Sequence, residues 1–83
     1  MMPDENAIRA AAREVVISMT GSKVADSDAL ISSGLIDSLS ILKLISKLEA
    51  KLNVSIPTEN LQPDDFESVD WIVETVQRVA TAS

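Results

Sequence analysis

The chain has 83 residues, 46% of them apolar and only Phe66 and Trp71 aromatic, which leaves room for one small domain with a core of Leu, Ile, Val and Ala. Histidine and cysteine are absent, so there is no ordinary imidazole base, thiol nucleophile, disulfide framework or thiolate metal site, and a self-sufficient enzyme is not expected. Thirteen acids against seven bases give a net charge of −6, which disfavours nucleic acid and anionic membrane and suits a partner with a basic docking face.

The first segment, DENAIRAAAREVVISMTG, places Ile8, Ala11, Ala12, Val15, Val16 and Met19 on one helical stripe. Asp4 or Asn6 can cap its start and Gly21 suits the left-handed position past its end, so a helix is expected over about 5–19. Residues 22–37, SKVADSDALISSGLID, read as a long loop held down by buried Val24, Leu30, Ile31, Leu35 and Ile36. An ordered loop of that length hints at function. A second helix is expected over about 38–52, with Ile41, Leu44, Ile45, Leu48 and Leu52 facing the core. Leu39 and Leu42 fall outside that stripe, on the side that carries Ser38.

VSIP at 54–57 reads as extended, Thr58 can cap a turn through Leu61, and a short helical piece is expected around Asp64–Glu67. Asp64 and Asp65 read as its solvated cap and Phe66 as core. Ser68 then caps a last helix whose stripe is Val69, Ile72, Val73, Val76 and Val79 or Ala80, with Arg78 complementing its dipole. Trp71 lies on the polar side of this helix and is read as cover for the short one in preference to a partner anchor. The tail at 80–83 is expected to fray. The pattern is all-α, one domain over 1–83 with its core at about 5–80, and neither a membrane span nor a signal segment is visible.

The stretch GLIDSLS at 34–40 carries the functional question. Asp37 or Ser38 can simply be the N-cap of the second helix. A nucleophilic Ser38 would need a base, and with no histidine only Lys43 or Lys47 remains, a poor arrangement. A third reading makes Ser38 a site modified by another protein, because a helix start leaves the hydroxyl exposed near unpaired backbone N–H groups that tolerate an added anion.

Gly34-Leu35-Ile36-Asp37-Ser38-Leu39 resembles the G-x-x-D-S-L of the acyl carrier proteins and the related peptidyl, aminoacyl and D-alanyl carriers. The resemblance continues through the helical run to Leu52, Val54-Ser55-Ile56-Pro57 and Phe66-Glu67-Ser68-Val69, covering about residues 8 to 80. It implies an acyl-carrier-like four-helix bundle, three main helices and one short, with a long loop between the first two. It further implies a phosphopantetheine on Ser38, transferred from coenzyme A by a phosphopantetheinyl transferase, whose thiol holds acyl groups as thioesters. The missing cysteine would then be explained by an imported sulfur. Asp37 and Leu39 would serve recognition by the transferase and partners.

The pattern departs from fatty-acid-synthesis carriers, which resemblance says have an acid after D-S-L and an acidic second helix. Here Ser40 follows, and the helix has Lys43, Lys47 and Lys51 against Glu49. Either the lysines are a solvated face or the helix avoids the usual basic enzyme patches and meets a dedicated partner. Leu42, Lys43 and Lys47 are the candidate partner contacts, although Leu39 and Leu42 can instead pack on Leu35 or Ile36. The leading expectation is a stand-alone, monomeric, cytoplasmic acyl or aminoacyl carrier, serving an adenylating ligase and a downstream acyltransferase or synthase. The alternative is a non-catalytic helical interaction module in which Ser38 is only a cap.

Overall fold

Local capping chemistry sets the ends of the main helices in the computed structural model, which describes residues 2–82. Helix α1 spans Glu5–Thr20; Asp4 Oδ1 accepts the Ala7 N–H at 2.8 Å, and Gly21 ends the helix at φ 73° with its N–H donating to Ile17 O. A side chain at that left-handed position would be strained, which is why glycine stands there. Helix α2 spans Ile41–Leu52 and α3 spans Val69–Val79, the latter capped by Ser68, whose Oγ accepts the Trp71 N–H at 3.1 Å. A short 3-10 helix at Pro63–Phe66 completes the expected four-helix arrangement. Asp65 closes its capping box with Gln62, so this acid is a structural cap as the sequence suggested.

Helix α1 packs against both α2 and α3. Val16, Leu30, Leu44, Leu48, Ile72 and Val76 are fully buried between them, and Phe66 plugs the end near the 3-10 helix. The expected stripes are in the core, with Met19, Leu52, Val79 and Ala80 packed at its margin. Each fully buried Leu or Ile contributes on the order of 1.5–3 kcal/mol relative to exposure, so these aliphatic stripes supply the main driving force.

Several expectations change. The second helix does not begin as α-helix at residue 38: Ser38–Ser40 form a 3-10 turn and the α-helix starts at Ile41. Leu35 was expected inside but is 45% exposed, because Gly34 (φ 82°) turns the chain and Ile36 takes the buried position, its N–H donating to Leu30 O at 2.9 Å. The tail does not fray at Thr81–Ala82: this strand, β2, pairs antiparallel with β1 (Val54–Ser55), Val54 opposite Ala82 and Ser55 opposite Thr81. The extended VSIP segment leaves strand groups that the tail satisfies. Ser83 lies outside the described residues. Trp71 is 49% exposed and fills no core position.

The long loop between α1 and α2 is held at two points. Asp26 receives two hydrogen bonds from Arg13 at 2.8 and 2.7 Å and one from Arg9 at 2.8 Å, while its carbonyl accepts the Asp70 N–H at 3.0 Å. Arg9 also reaches Asp70 at 2.6 Å, so one guanidinium ties α1, the loop and α3 together. Further on, Glu67 accepts from the Ile31 N–H (3.1 Å), the Ser32 N–H (3.0 Å) and the Ser32 hydroxyl (3.1 Å), and its carbonyl accepts the Leu30 N–H at 2.6 Å. These bonds answer where a long loop's polar backbone groups go.

Candidate functional site

The turn that follows the loop assigns different tasks to two adjacent polar residues. Asp37 is extended (φ −83°, ψ 163°), and its Oδ1 accepts the Ser40 N–H at 2.9 Å. Asp37 is therefore the cap, and of the two capping candidates Ser38 is not the one used. The Ser38 side chain is exposed and its hydroxyl has no hydrogen-bond partner among the described residues. Among the described residues, no base is in hydrogen-bond contact with that hydroxyl.

Apolar surface surrounds the serine. Leu39 is 89% exposed and Leu42 65%, so neither packs into the preceding loop. Beside Ser38 an open groove of about 180 Å³ runs between α2 and the segment leading to the 3-10 helix. Its walls include Ile41, Leu42, Ile45, Leu61 and Phe66, with Thr58 and Gln62 as polar groups at the side. The bundle beneath is filled by Leu44, Leu48 and Ile72, so the groove is a surface feature.

Lys43 and Lys47 are exposed on α2 and form no ion pair among the described residues, whereas Lys51 binds Glu14 at 2.7 Å. The fold thus brings Ser38, Leu39 and Leu42 together at one end of α2, with Lys43 and Lys47 following along the same helix. Asp64 and Asp65 belong to the neighbouring 3-10 helix, and among the described residues no three carboxylates gather as metal ligands.

Sequence reasoning missed the anchors that hold this site. Glu67 lies just before a helix cap, and nothing in its spacing announces that its carboxylate reaches back 36 residues to Ile31. Hydrogen bonds from the Ser32 N–H, first, and the Ser32 hydroxyl hold that carboxylate below its ordinary range. Asp26 is pushed down to about 2, chiefly by its hydrogen bonds with Arg13; burial opposes this, and the Arg9 hydrogen bond and the charges of both arginines lower it further. Glu49 is likewise engaged internally, accepting the Ile56 N–H at 2.8 Å.

Residues 7–76 match the family described as "phosphopantetheine attachment site". The D-alanyl carrier proteins of Streptococcus pyogenes serotype M5 (strain Manfredo), serotype M49 (strain NZ131) and serotype M1 are each 34% identical to this chain over 61 residues, spanning 74% of it and 76% of the relative. No solved structure matches the chain.

Proposed function

The chain belongs to the phosphopantetheine-attachment family of non-catalytic carrier proteins, whose cofactor is covalently attached phosphopantetheine, and we propose that Ser38 is the attachment residue. The observation that carries this reading is the division of labour at the turn: Asp37 does the capping, and the Ser38 hydroxyl is left exposed and without a partner among the described residues. In the attachment step Ser38 Oγ attacks the phosphorus of coenzyme A that bears the pantetheine. A serine phosphodiester forms, the bond to the departing adenosine bisphosphate breaks, and a base of the transferase takes the hydroxyl proton. The bound group supplies a thiol at the end of a mobile arm, on which cargo is held as a thioester, in a chain with no cysteine of its own.

The chain's own residues hold and present that attachment point. Asp37 fixes the turn, and Glu67 secures the loop before it. Leu39 and Leu42 offer apolar contact to the transferase and later partners, with Lys43 and Lys47 beside them as further contacts. The partners are an acyl- or aminoacyl-activating ligase and a downstream acyltransferase or synthase, and residues about 5–80 act as one monomeric carrier domain in the cytoplasm.

The D-alanyl carriers' name suggests the cargo class, a small aminoacyl group. A groove of about 180 Å³ beside Ser38, over a filled core, suits a cargo of that size resting at the surface. The test is intact mass before and after incubation with coenzyme A and a broad-specificity phosphopantetheinyl transferase. Wild type should gain one phosphopantetheine and Ser38→Ala none. A wild-type protein that stays unmodified, with a transferase active on a control carrier, would instead leave Ser38 as surface on an interaction module.

A further inference from the structure

Helix α2 is charged in the opposite sense to the molecule that contains it. The whole chain is at −6, yet α2 has three lysines and a single acid, Glu49. At 100° per residue, Leu42, Lys43, Ser46, Lys47 and Ala50 lie opposite the buried Ile41, Leu44, Ile45 and Leu48, and all five are exposed. No carboxylate shares that outward face. Glu49 sits on its flank, where its carboxylate accepts the Ile56 N–H.

The ion pairs elsewhere sharpen the contrast. Arg9, Arg13, Arg78 and Lys51 are all matched with carboxylates. Of the seven bases, this leaves Lys23, Lys43 and Lys47 without an ion pair among the described residues. Two of those three stand one turn apart on α2. Beyond them lies an open groove of about 350 Å³ between α1 and α2, lined by Lys47, Lys51, Ser18 and Glu14, the last paired with Lys51. The result is a strip with exposed leucines at the serine end and two unmatched cations next to them.

We infer that the outward face of α2 docks an acidic surface on the enzyme that acts at Ser38, with Leu39 and Leu42 meeting an apolar patch and Lys43 and Lys47 meeting Asp or Glu side chains. This rests on the carrier reading for what the partner does, and it reverses the basic docking face that net charge alone suggested. Lys43 and Lys47 lie roughly 7 to 14 Å along the helix from the serine, a distance that one partner patch can cover. The acidic remainder of the chain repels the same partner, so attraction is confined to α2 and fixes the docking orientation. Two solvent-exposed pairs add little affinity, which keeps the complex short-lived, as a carrier that visits successive enzymes requires.

The test uses the full chain and two synthetic amphipathic helical peptides, identical except that one has Glu and the other Lys beside its leucines. Backbone amide NMR at low salt should show the Glu peptide shifting residues 38–50 and binding roughly fivefold to tenfold more tightly than the Lys peptide. The preference should shrink as salt is raised, reverse in Lys43→Glu/Lys47→Glu, and persist in Lys23→Glu. If the Lys peptide binds 38–50 as well as the Glu peptide, or if reversing Lys43 and Lys47 changes nothing, the inference is overturned. Uptake of phosphopantetheine, read by mass on the same samples, separates the two failures. A chain that is modified but shows no peptide preference loses only the acidic partner, whereas one that shows the preference but is never modified loses the carrier reading.

Discussion

Replacing Asp37 and Ser38 one at a time should separate structure from chemistry. Asp37 Oδ1 accepts the Ser40 N–H at 2.9 Å, a single capping bond whose loss to alanine costs about 0.5–2 kcal/mol. In a domain of this size each 1 kcal/mol lowers Tm by roughly 4–8 °C, so Asp37→Ala should melt several degrees lower. Ser38→Ala removes an exposed hydroxyl that makes no hydrogen bond among the described residues, and its stability should stay within about 0.5 kcal/mol of wild type. Asp37→Asn keeps the capping geometry without the charge and should be nearly as stable as wild type, so any slowing of phosphopantetheine transfer in that variant reports recognition of the carboxylate. Thermal and urea unfolding followed by far-UV circular dichroism measures all three, with loading scored by mass. If Ser38→Ala is destabilised as much as Asp37→Ala, the serine shares the cap and the argument from its unengaged hydroxyl fails.

Acid should act on the loop before it acts on the core. Asp26, its side chain 24% exposed, falls from an ordinary 3.8 to about 2, so its stabilising charge is fully present above pH 4 and is lost as pH drops through about 2. At 1.36 kcal/mol per unit, reduced for partial solvent screening, this amounts to about 1–2 kcal/mol; Asp26→Asn should lose that much at pH 7 and show a flatter stability profile below pH 4, and parallel profiles would refute the assignment. Glu67→Gln should speed amide exchange at Ile31 and Ser32 relative to Val16 and Leu48, and the same acceleration should appear in wild type as pH falls below the ordinary glutamate range, since the depressed carboxylate is the acceptor. Equal protection in variant and wild type at pH 7 would remove Glu67 as the loop's anchor.

What could be read from the sequence was what local periodicity and capping control. The stripes from Ile8 to Val16, Ile41 to Leu48 and Val69 to Val76 are in the core because a 3.6-residue repeat commits those side chains to one face whatever the helix packs against. Asp4, Gly21 and Ser68 act within one turn of the helix ends they close. Contacts made across the chain left no such trace. The pairing of Val54–Ser55 with Thr81–Ala82 joins residues too far apart for a local pattern, and four residues of tail carry no strand signature. Leu35 and Ile36 look alike in composition, and only the Gly34 turn and the Ile36–Leu30 bond decide which goes inside.

The candidate site was picked out in the sequence by GLIDSLS and by Leu39 and Leu42 falling outside the helical stripe, and in the structure its residues differ from the rest of the chain in how they are engaged. Thr75 is fully buried, and its hydroxyl donates to Asp65 O at 2.9 Å. Glu49 and Glu67 cap backbone N–H groups, Asp26 is surrounded by arginine, and no buried side-chain polar atom among the described residues lacks a partner. Elsewhere, leucines on amphipathic helices face inward and, Lys23 apart, cations find acids. Along one side of α2 and the turn before it the reverse holds among the described residues: Ser38 has an unengaged hydroxyl, Leu39 and Leu42 face water, and Lys43 and Lys47 form no ion pair in a protein with thirteen acids. An exposed Leu or an unpaired Lys is ordinary by itself. Several of them contiguous with a serine whose hydroxyl is unengaged among the described residues are the observation behind the docking surface proposed above, and the Glu67 anchor holds the loop before them in place.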